Sequence, residues 1–326
     1  MDAEIAAAAA RLTAGELVAF PTETVYGLGA DALNPVAVAK IFVLKHRPAD
    51  HPLIVHLPLG TPLQGWARDV PPAAIRLADA FWPGPLTLVL RRHPRVPDIV
   101  TGGQDTVGLR IPSHPVALAL LAAFGSGVAA PSANRYGRIS PTCAEHVRAE
   151  FGSEVAMVLD AGPSRYGIES TIVDLSGGVP RLLRPGAIAR SDLAAAMGSA
   201  ADSLRPDGGR SPDHPRVPGS LPGHYAPRTP LLLLARASFQ AHLRAAGADC
   251  NRIAVVSWSE QVSSAWVWRL PDDPVGYAHG LYAALRAADA APVDQIWVES
   301  VPDTPAWEAV RDRLARAAAG SGSTSP

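Results

Sequence analysis

Residues 20–53 read FPTETVYGLGADALNPVAVAKIFVLKHRPADHPL. The apolar run Leu17 to Phe20 reads as a buried strand that delivers this segment, and Asn34 with Pro35 opens a helix through Val43. Strand, polar connection and helix in succession mark an α/β protein. The connection is a hydroxyl-rich, glycine-bearing turn: Pro21, Thr22, Glu23, Thr24, Tyr26, Gly27 and Gly29. Beyond the helix comes a compact basic segment, Lys45, His46, Arg47 and Pro48. Small donors beside close-set cations suit a phosphate or carboxylate ligand. In an extended loop, the two-residue spacing would put Lys45 and Arg47 on one face. A basic pair alone is more often a solvated helix end, so the reading needs partners elsewhere.

Working outward, a helix over 2–13 precedes the segment, and short strands are expected at 53–57, 86–90, 106–111 and 128–130. Helices fit 73–81 and 115–124, and Pro141 is read as opening another. Strand-like stretches follow at 155–159, 170–174 and 181–184. Polar insertions fall repeatedly at strand ends, which describes a twisted mixed sheet with flanking helices and a concave cleft built by loops. Prolines and glycines then crowd residues 201–230, a linker between a first domain at 1–200 and a second at 231–317. The second alternates strands and helices as a small, mainly parallel Rossmann-like α/β domain. Residues 318–326 read as a disordered tail.

The chain of 326 residues is 48% hydrophobic, enough for one large core or two. A formal charge of −1 supplies no global basic field for nucleic acid. Cys143 and Cys250 are too far apart for paired zinc-ligand spacings and suit a reducing cytosol. Asp2 and Glu4 stand where a signal peptide carries basic residues, and no apolar run reaches membrane-spanning length. A cytoplasmic protein without a membrane partner is expected.

Neither familiar nucleotide loop is present: Ala32 stands at the third glycine position after Gly27 and Gly29, and no Walker lysine follows a glycine-rich turn. No Ser/His/Asp set or carboxylate pair is legible. The loop APSANRYGRISPT joins hydroxyl and amide donors to Arg135 and Arg138, enough to hold an adenylate by many neutral hydrogen bonds. Singly, such residues are ordinary turn formers, and a lone His56 is ordinarily structural.

Together the strings FPTETVYGLGADA, KHRPADHPLIVH, WPGPLTLVL, TVGLRIPSHP, APSANRYGRISPT, ESTIVDL, LLRPGAI and GHYAP, in that order, resemble the YrdC-like threonylcarbamoyl-AMP synthase family in its two-domain form. The resemblance implies condensation of L-threonine, bicarbonate and ATP to threonylcarbamoyl-AMP and pyrophosphate, for modification of adenosine next to the anticodon in tRNA. It implies Mg2+ carried by ATP, a downstream tRNA threonylcarbamoyl transferase, and no stable nucleic-acid binding. Carried onto this chain, Thr24, His56, Arg110, Ala130 and Ser170 would hold threonine. Arg47, His51, Thr106, Ser132, Asn134, Ser140, Arg184 and Tyr225 would hold ATP, with Lys45 and Arg47 catalytic. Tyr225 would also close over the cleft. His51 stands where the family often carries asparagine, and Val217 and Ser220 replace its usual serine and methionine. Lys45 and Arg110 are expected to serve ligand charge more than packing. Two other readings share these residues: a carbamoyl-adenylating module, which elsewhere brings cysteine-rich zinc segments, and a non-catalytic RNA-binding protein.

Overall fold

A computed structural model of the chain describes residues 1–198, 204, 214–219, 223–246, 251–259 and 265–322. Cys250, Ser220, most of 201–213 and the last four residues lie outside that description. The chain divides into two compact units. The first comprises Met1–Tyr136, Pro141–Arg165 and Glu169–Ser220; the second comprises Gly137–Ser140, Tyr166–Ile168 and Leu221–Pro326.

Among its described residues the first unit carries eight strands: β1 (Val18–Phe20), β2 (Gly27–Asp31), β3 (Ile54–His56), β4 (Leu86–Arg91), β5 (Thr106–Arg110), β6 (Val128–Ala129), β7 (Thr171–Asp174) and β8 (Arg181–Arg184). They form one mixed sheet in the order β1-β2-β6-β3-β5-β4-β7-β8. Parallel pairing joins β3 to β5 and β4 to β7; the other pairings are antiparallel. Because strand side chains alternate, Val55, Leu88, Leu90, Val107 and Leu109 enter the main core. There they meet Ala37, Val38, Ile41 and Phe42 of α2 (Pro35–Lys45) and Leu77 of α3 (Pro72–Phe81). Full burial of each such large side chain stabilises by about 1.5–3 kcal/mol. Their alternates His56, Thr87, Thr106 and Arg110 therefore belong to the opposite face.

At the β1-β2-β6 end that opposite face is covered by α1 (Asp2–Thr13) and α5 (Pro115–Phe124), through Leu12, Leu120, Leu121, Phe20 and Val128. Further along the sheet it carries a small apolar cluster of Ile54, Val89, Ile172, Leu183 and Val217. The unit also contains α4 (Asp98–Thr101), α6 (Ala144–Phe151) and α7 (Arg190–Met197).

Several local expectations change. Gly27 and Gly29 belong to β2 rather than to a turn, and Lys45 ends α2 rather than lying in an extended loop. Asn34 caps that helix by accepting from Val36 N and Ala37 N at 3.1 Å, while His46 terminates it in the left-handed region at φ 52°. Pro141 opens no helix; α6 starts at Ala144. The stretch 155–159 makes only an isolated parallel bridge, Ala19 to Val158.

The second unit is built on β9 (Leu231–Leu234), β10 (Ile253–Ser257), β11 (Trp266–Arg269) and β12 (Gln295–Glu299), all parallel, in the order β11-β10-β12-β9. Parallel strands need crossovers, supplied by α8 (Arg236–Ala246) and α9 (Pro274–Ala290), and α10 (Glu308–Gly320) follows β12. The helix α10 runs past the expected boundary at 317, and Leu231 N donates to Ser321 Oγ at 2.8 Å. Residues 318–322 are thus structured rather than tail.

Gly29 is constrained by packing. A Cβ there would lie 2.7 Å from Val128 Cγ1 and 2.9 Å from Phe20 Cε1, whereas at Gly27 its nearest atoms are 3.4 Å away. Gly29→Ala is expected to destabilise by about 1–3 kcal/mol through overpacking, and Gly27→Ala by clearly less. Urea unfolding of both variants tests this; equal losses would contradict it.

Candidate active site

The turn after β1 is held by Thr22. Its Oγ1 donates to Val25 O at 2.6 Å and accepts from Thr24 N and Val25 N at 3.2 Å. That leaves the Thr24 hydroxyl 2.8 Å from Thr22 Oγ1, both side chains buried. Glu23, between them, turns to the far end of β5 instead. Arg110 Nη2 donates to Glu23 Oε1 at 2.6 Å, Ser113 N donates to Glu23 Oε2 at 3.0 Å, and Arg110 Nε donates to Gly84 O at 3.2 Å. Both side chains of the ion pair are 4% exposed. Among the described residues, Arg110 Nη1 has no protein hydrogen-bond partner.

His56 lies beside Arg110 in the parallel β3–β5 register and packs edge-on to Phe20, ring centroids 5.9 Å apart. Burial, reinforced by the Arg110 charge, lowers its pKa from 6.5 to about 3. The imidazole is neutral at pH 7, and among the described residues its Nδ1 has no hydrogen-bond partner. Ala130 follows β6, its N–H donating to Ile54 O at 2.9 Å.

At the C-terminal end of α2, Lys45 is 1% exposed. Its Nζ donates to Ser132 O at 2.6 Å and to Asn134 O, while Tyr136 N donates to Lys45 O at 2.9 Å. The 132–136 loop is therefore tied to the helix end in both directions. Burial and then the Arg47 charge hold the Lys45 pKa well below its usual value, against an opposing pull from Glu150. Arg47 Nη2 donates to Pro52 O at 2.9 Å, and its guanidinium lies 5.6 Å from the Tyr136 ring centroid. The Tyr136 hydroxyl is 3.2 Å from His51 Nδ1, so histidine in place of asparagine finds an aromatic partner. Burial and Arg47 lower the His51 pKa.

Ser170 and Arg184 meet directly. Arg184 donates through Nε to Ser170 O at 3.0 Å and through Nη2 to Ser170 Oγ at 3.1 Å. Ser170 Oγ is also 2.8 Å from Thr87 Oγ1. The residues expected to serve different ligands are hence one cluster. A third Arg184 donor, Nη1, reaches Pro218 O at 2.8 Å. Thr106 lines a crevice with Ile54, Thr87 and Gly108 beside Arg216, Val217 and Pro218. Arg216 N donates to Gln104 Oε1 at 2.6 Å, and Gln104 Nε2 donates back to Arg216 O at 3.1 Å. Val217, the departure from serine, is buried against the apolar cluster on this sheet face.

Ser140 and Tyr225 belong to the second unit. Arg286 Nε donates to Ser140 O at 3.4 Å. Tyr225 is buried with φ 60°, stacked on Tyr282 at 5.8 Å and 5.2 Å from the Arg313 guanidinium.

A family model described as Telomere recombination matches residues 10–186, and one described as Threonylcarbamoyl-AMP synthase, C-terminal domain, matches 188–319. The chain belongs to the threonylcarbamoyl-AMP synthase family. The threonylcarbamoyl-AMP synthase of Pyrococcus abyssi is 39% identical over 321 residues, covering 96% of this chain and 94% of the relative. That of Bacillus subtilis is 41% identical over 334 residues, covering 98% and 94%. The crystal structure of P. abyssi Sua5 complexed with L-threonine superposes with a TM-score of 0.91 at 38% identity, covering 98% of this chain and 95% of that one. The family resemblance read from the eight strings and the two-domain α/β fold both hold.

Glu23, Thr22, Thr87 and Tyr136 hold site residues in place, a role the sequence reading assigned to none of them, although Thr22 and Glu23 were named in the opening turn. Glu23 stood in the opening segment, but its partner lies 87 residues away. The pair also corrects the expectation that Arg110 serves ligand charge more than packing. Arg110→Ala strands a buried carboxylate and is expected to destabilise by about 3–5 kcal/mol, read by urea unfolding. A loss under about 1 kcal/mol would mean the pair behaves as an exposed one.

His56 gives a pH signature. Its folded-state pKa lies below the unfolded one, so the unfolded chain binds more protons between pH 6.5 and about 3. This contribution to stability is complete above pH 6.5 and falls as pH drops through that window, by at most about 1.4 kcal/mol per pH unit. The His56 imidazole resonances of the native protein are expected to show no titration between pH 7.5 and about pH 4.5. A midpoint near 6 would contradict its burial as a neutral ring.

Proposed function

We propose that this chain is an L-threonylcarbamoyladenylate synthase, a nucleotidyltransferase that joins L-threonine, bicarbonate and ATP and releases pyrophosphate, serving tRNA modification in the cytoplasm. The observation that carries the reading is a buried ammonium, Lys45, and a buried guanidinium with an uncommitted donor, Arg110, in a chain of this family. Such groups suit positioning and charge neutralisation, which is what the reaction demands.

In this reading Arg110 Nη1 receives the threonine carboxylate, with Thr24, neutral His56, Ala130 and the Ser170 hydroxyl around the rest of the amino acid. The threonine nitrogen forms a bond to the carbon of bicarbonate, water leaves, and a carbamate results. A carbamate oxygen then bonds to the α-phosphorus of ATP as the bond to the β-phosphate oxygen breaks. Lys45 and Arg47 offset the charge that gathers on the departing pyrophosphate. Arriving phosphate would raise the Lys45 pKa again, since a nearby anion favours the ammonium. His51, Thr106, Ser132, Asn134 and Arg184 complete the proposed nucleotide contacts. Ser140 and Tyr225, including the closing role of Tyr225, rest on the family resemblance alone.

Among the described residues no three His, Cys, Asp or Glu side chains are grouped to hold a metal ion. Magnesium would be carried on the ATP phosphates, where it would neutralise charge. No helix among the described residues is long and apolar enough to cross a membrane. The product would pass to a tRNA threonylcarbamoyl transferase.

The purified protein is expected to release pyrophosphate from ATP only when L-threonine and bicarbonate are both present. Lys45→Met, which keeps an unbranched apolar stem and removes the ammonium, should lower kcat by about 100-fold or more. Undiminished release without threonine would sink the reading.

A further inference from the structure

The Glu23–Arg110 pair raises a problem of charge. An arginine that receives a carboxylate would attract it best with no anion of its own nearby, yet Arg110 is already paired with a buried carboxylate at 2.6 Å. Both oxygens are engaged, one by Arg110 Nη2 and the other by Ser113 N, and the side chain is 4% exposed. The pair is locked further by Arg110 Nε on Gly84 O. A carboxylate seated on Nη1 would share one guanidinium with Glu23, and like charges held that close in a buried setting repel. A monoanion is disfavoured there. A zwitterion is not, because its ammonium sits one bond from the carbon that bears the carboxylate and can face Glu23. Positive and negative groups then alternate: Glu23, Arg110, ligand carboxylate, ligand ammonium.

We propose that Glu23 is the specificity determinant that restricts this site to α-amino acids, holding the ligand ammonium while Arg110 holds the carboxylate. This rests on the reading of Arg110 and Thr24 as threonine contacts. Specificity is here a repulsive device as much as an attractive one: the buried anion rejects carboxylates that bring no cation. Glu23 adjoins Thr24 in the turn fixed by Thr22, so the amine-facing charge and the neighbouring hydroxyl are delivered together. Its carboxylate also stitches that turn to the residues after β5.

The test compares L-threonine with (R)-3-hydroxybutyrate, which keeps the carboxylate and hydroxyl and lacks the amine. Isothermal titration of the full-length wild-type protein is expected to favour threonine by about 100-fold or more. In Glu23→Gln, which retains volume and an acceptor for Arg110, threonine should weaken and hydroxybutyrate should tighten, cutting the preference by about tenfold or more. A preference unchanged in the folded variant overturns the proposal. Wild-type affinities within about threefold of each other overturn it with no variant needed. If the wild type releases pyrophosphate with threonine but Glu23→Gln keeps its preference, only the role of Glu23 fails. If the wild type binds no threonine, the reading of the site fails with it.

Discussion

A β-strand commits only every second side chain to a given face, and the first unit is organised by that constraint. In β3, β4 and β5 one set of alternates, Val55, Leu88, Leu90, Val107 and Leu109, is consumed by the helix-covered core. The other set, His56, Thr87, Thr106 and Arg110, is left to the opposite face, where its polar groups must find partners or ligands. A slip of one residue in any of these strands would bury the polar set in the apolar core, so packing and site geometry enforce the same register.

That arrangement puts charge where water is scarce, and the local solutions differ. Lys45 is satisfied by backbone carbonyls of the 132–136 loop, a neutral cradle that leaves its charge unopposed by a bonded anion and its pKa lowered. Arg110 is instead matched by an anion and a carbonyl, which makes it part of the fold as well as of the site. His56 escapes the problem by staying neutral. Three cationic residue types thus meet the desolvation penalty by acceptor bonds, ion pairing and loss of the proton.

Much of this was legible locally. The strands at 86–90 and 106–111 and the helices at 2–13 and 115–124 fall close to their observed bounds, because alternation, capping residues and proline starts act over a few residues. Lys45 and Arg47 were visible as a close basic pair. Their conformation was not, since the left-handed His46 that ends α2 follows from how the helix end packs. Gly27 and Gly29 looked like turn residues because glycine ordinarily marks turns. In β2 it is Phe20 and Val128 that exclude a side chain at Gly29.

The sequence by itself determined the two-unit α/β character, the family and the inventory of polar groups, since these reside in composition, local pattern and motif order. Only the tertiary structure decided which of those groups are partners. Glu23 with Arg110, Lys45 with the carbonyls of Ser132 and Asn134, and Ser170 with Arg184 and Thr87 are separated by 14 to 89 residues. Residues that far apart carry no local signal of their pairing. Their meeting follows from strand order, where β3 pairs with β5 and β4 with β7, and strand order is set by global packing of the sheet.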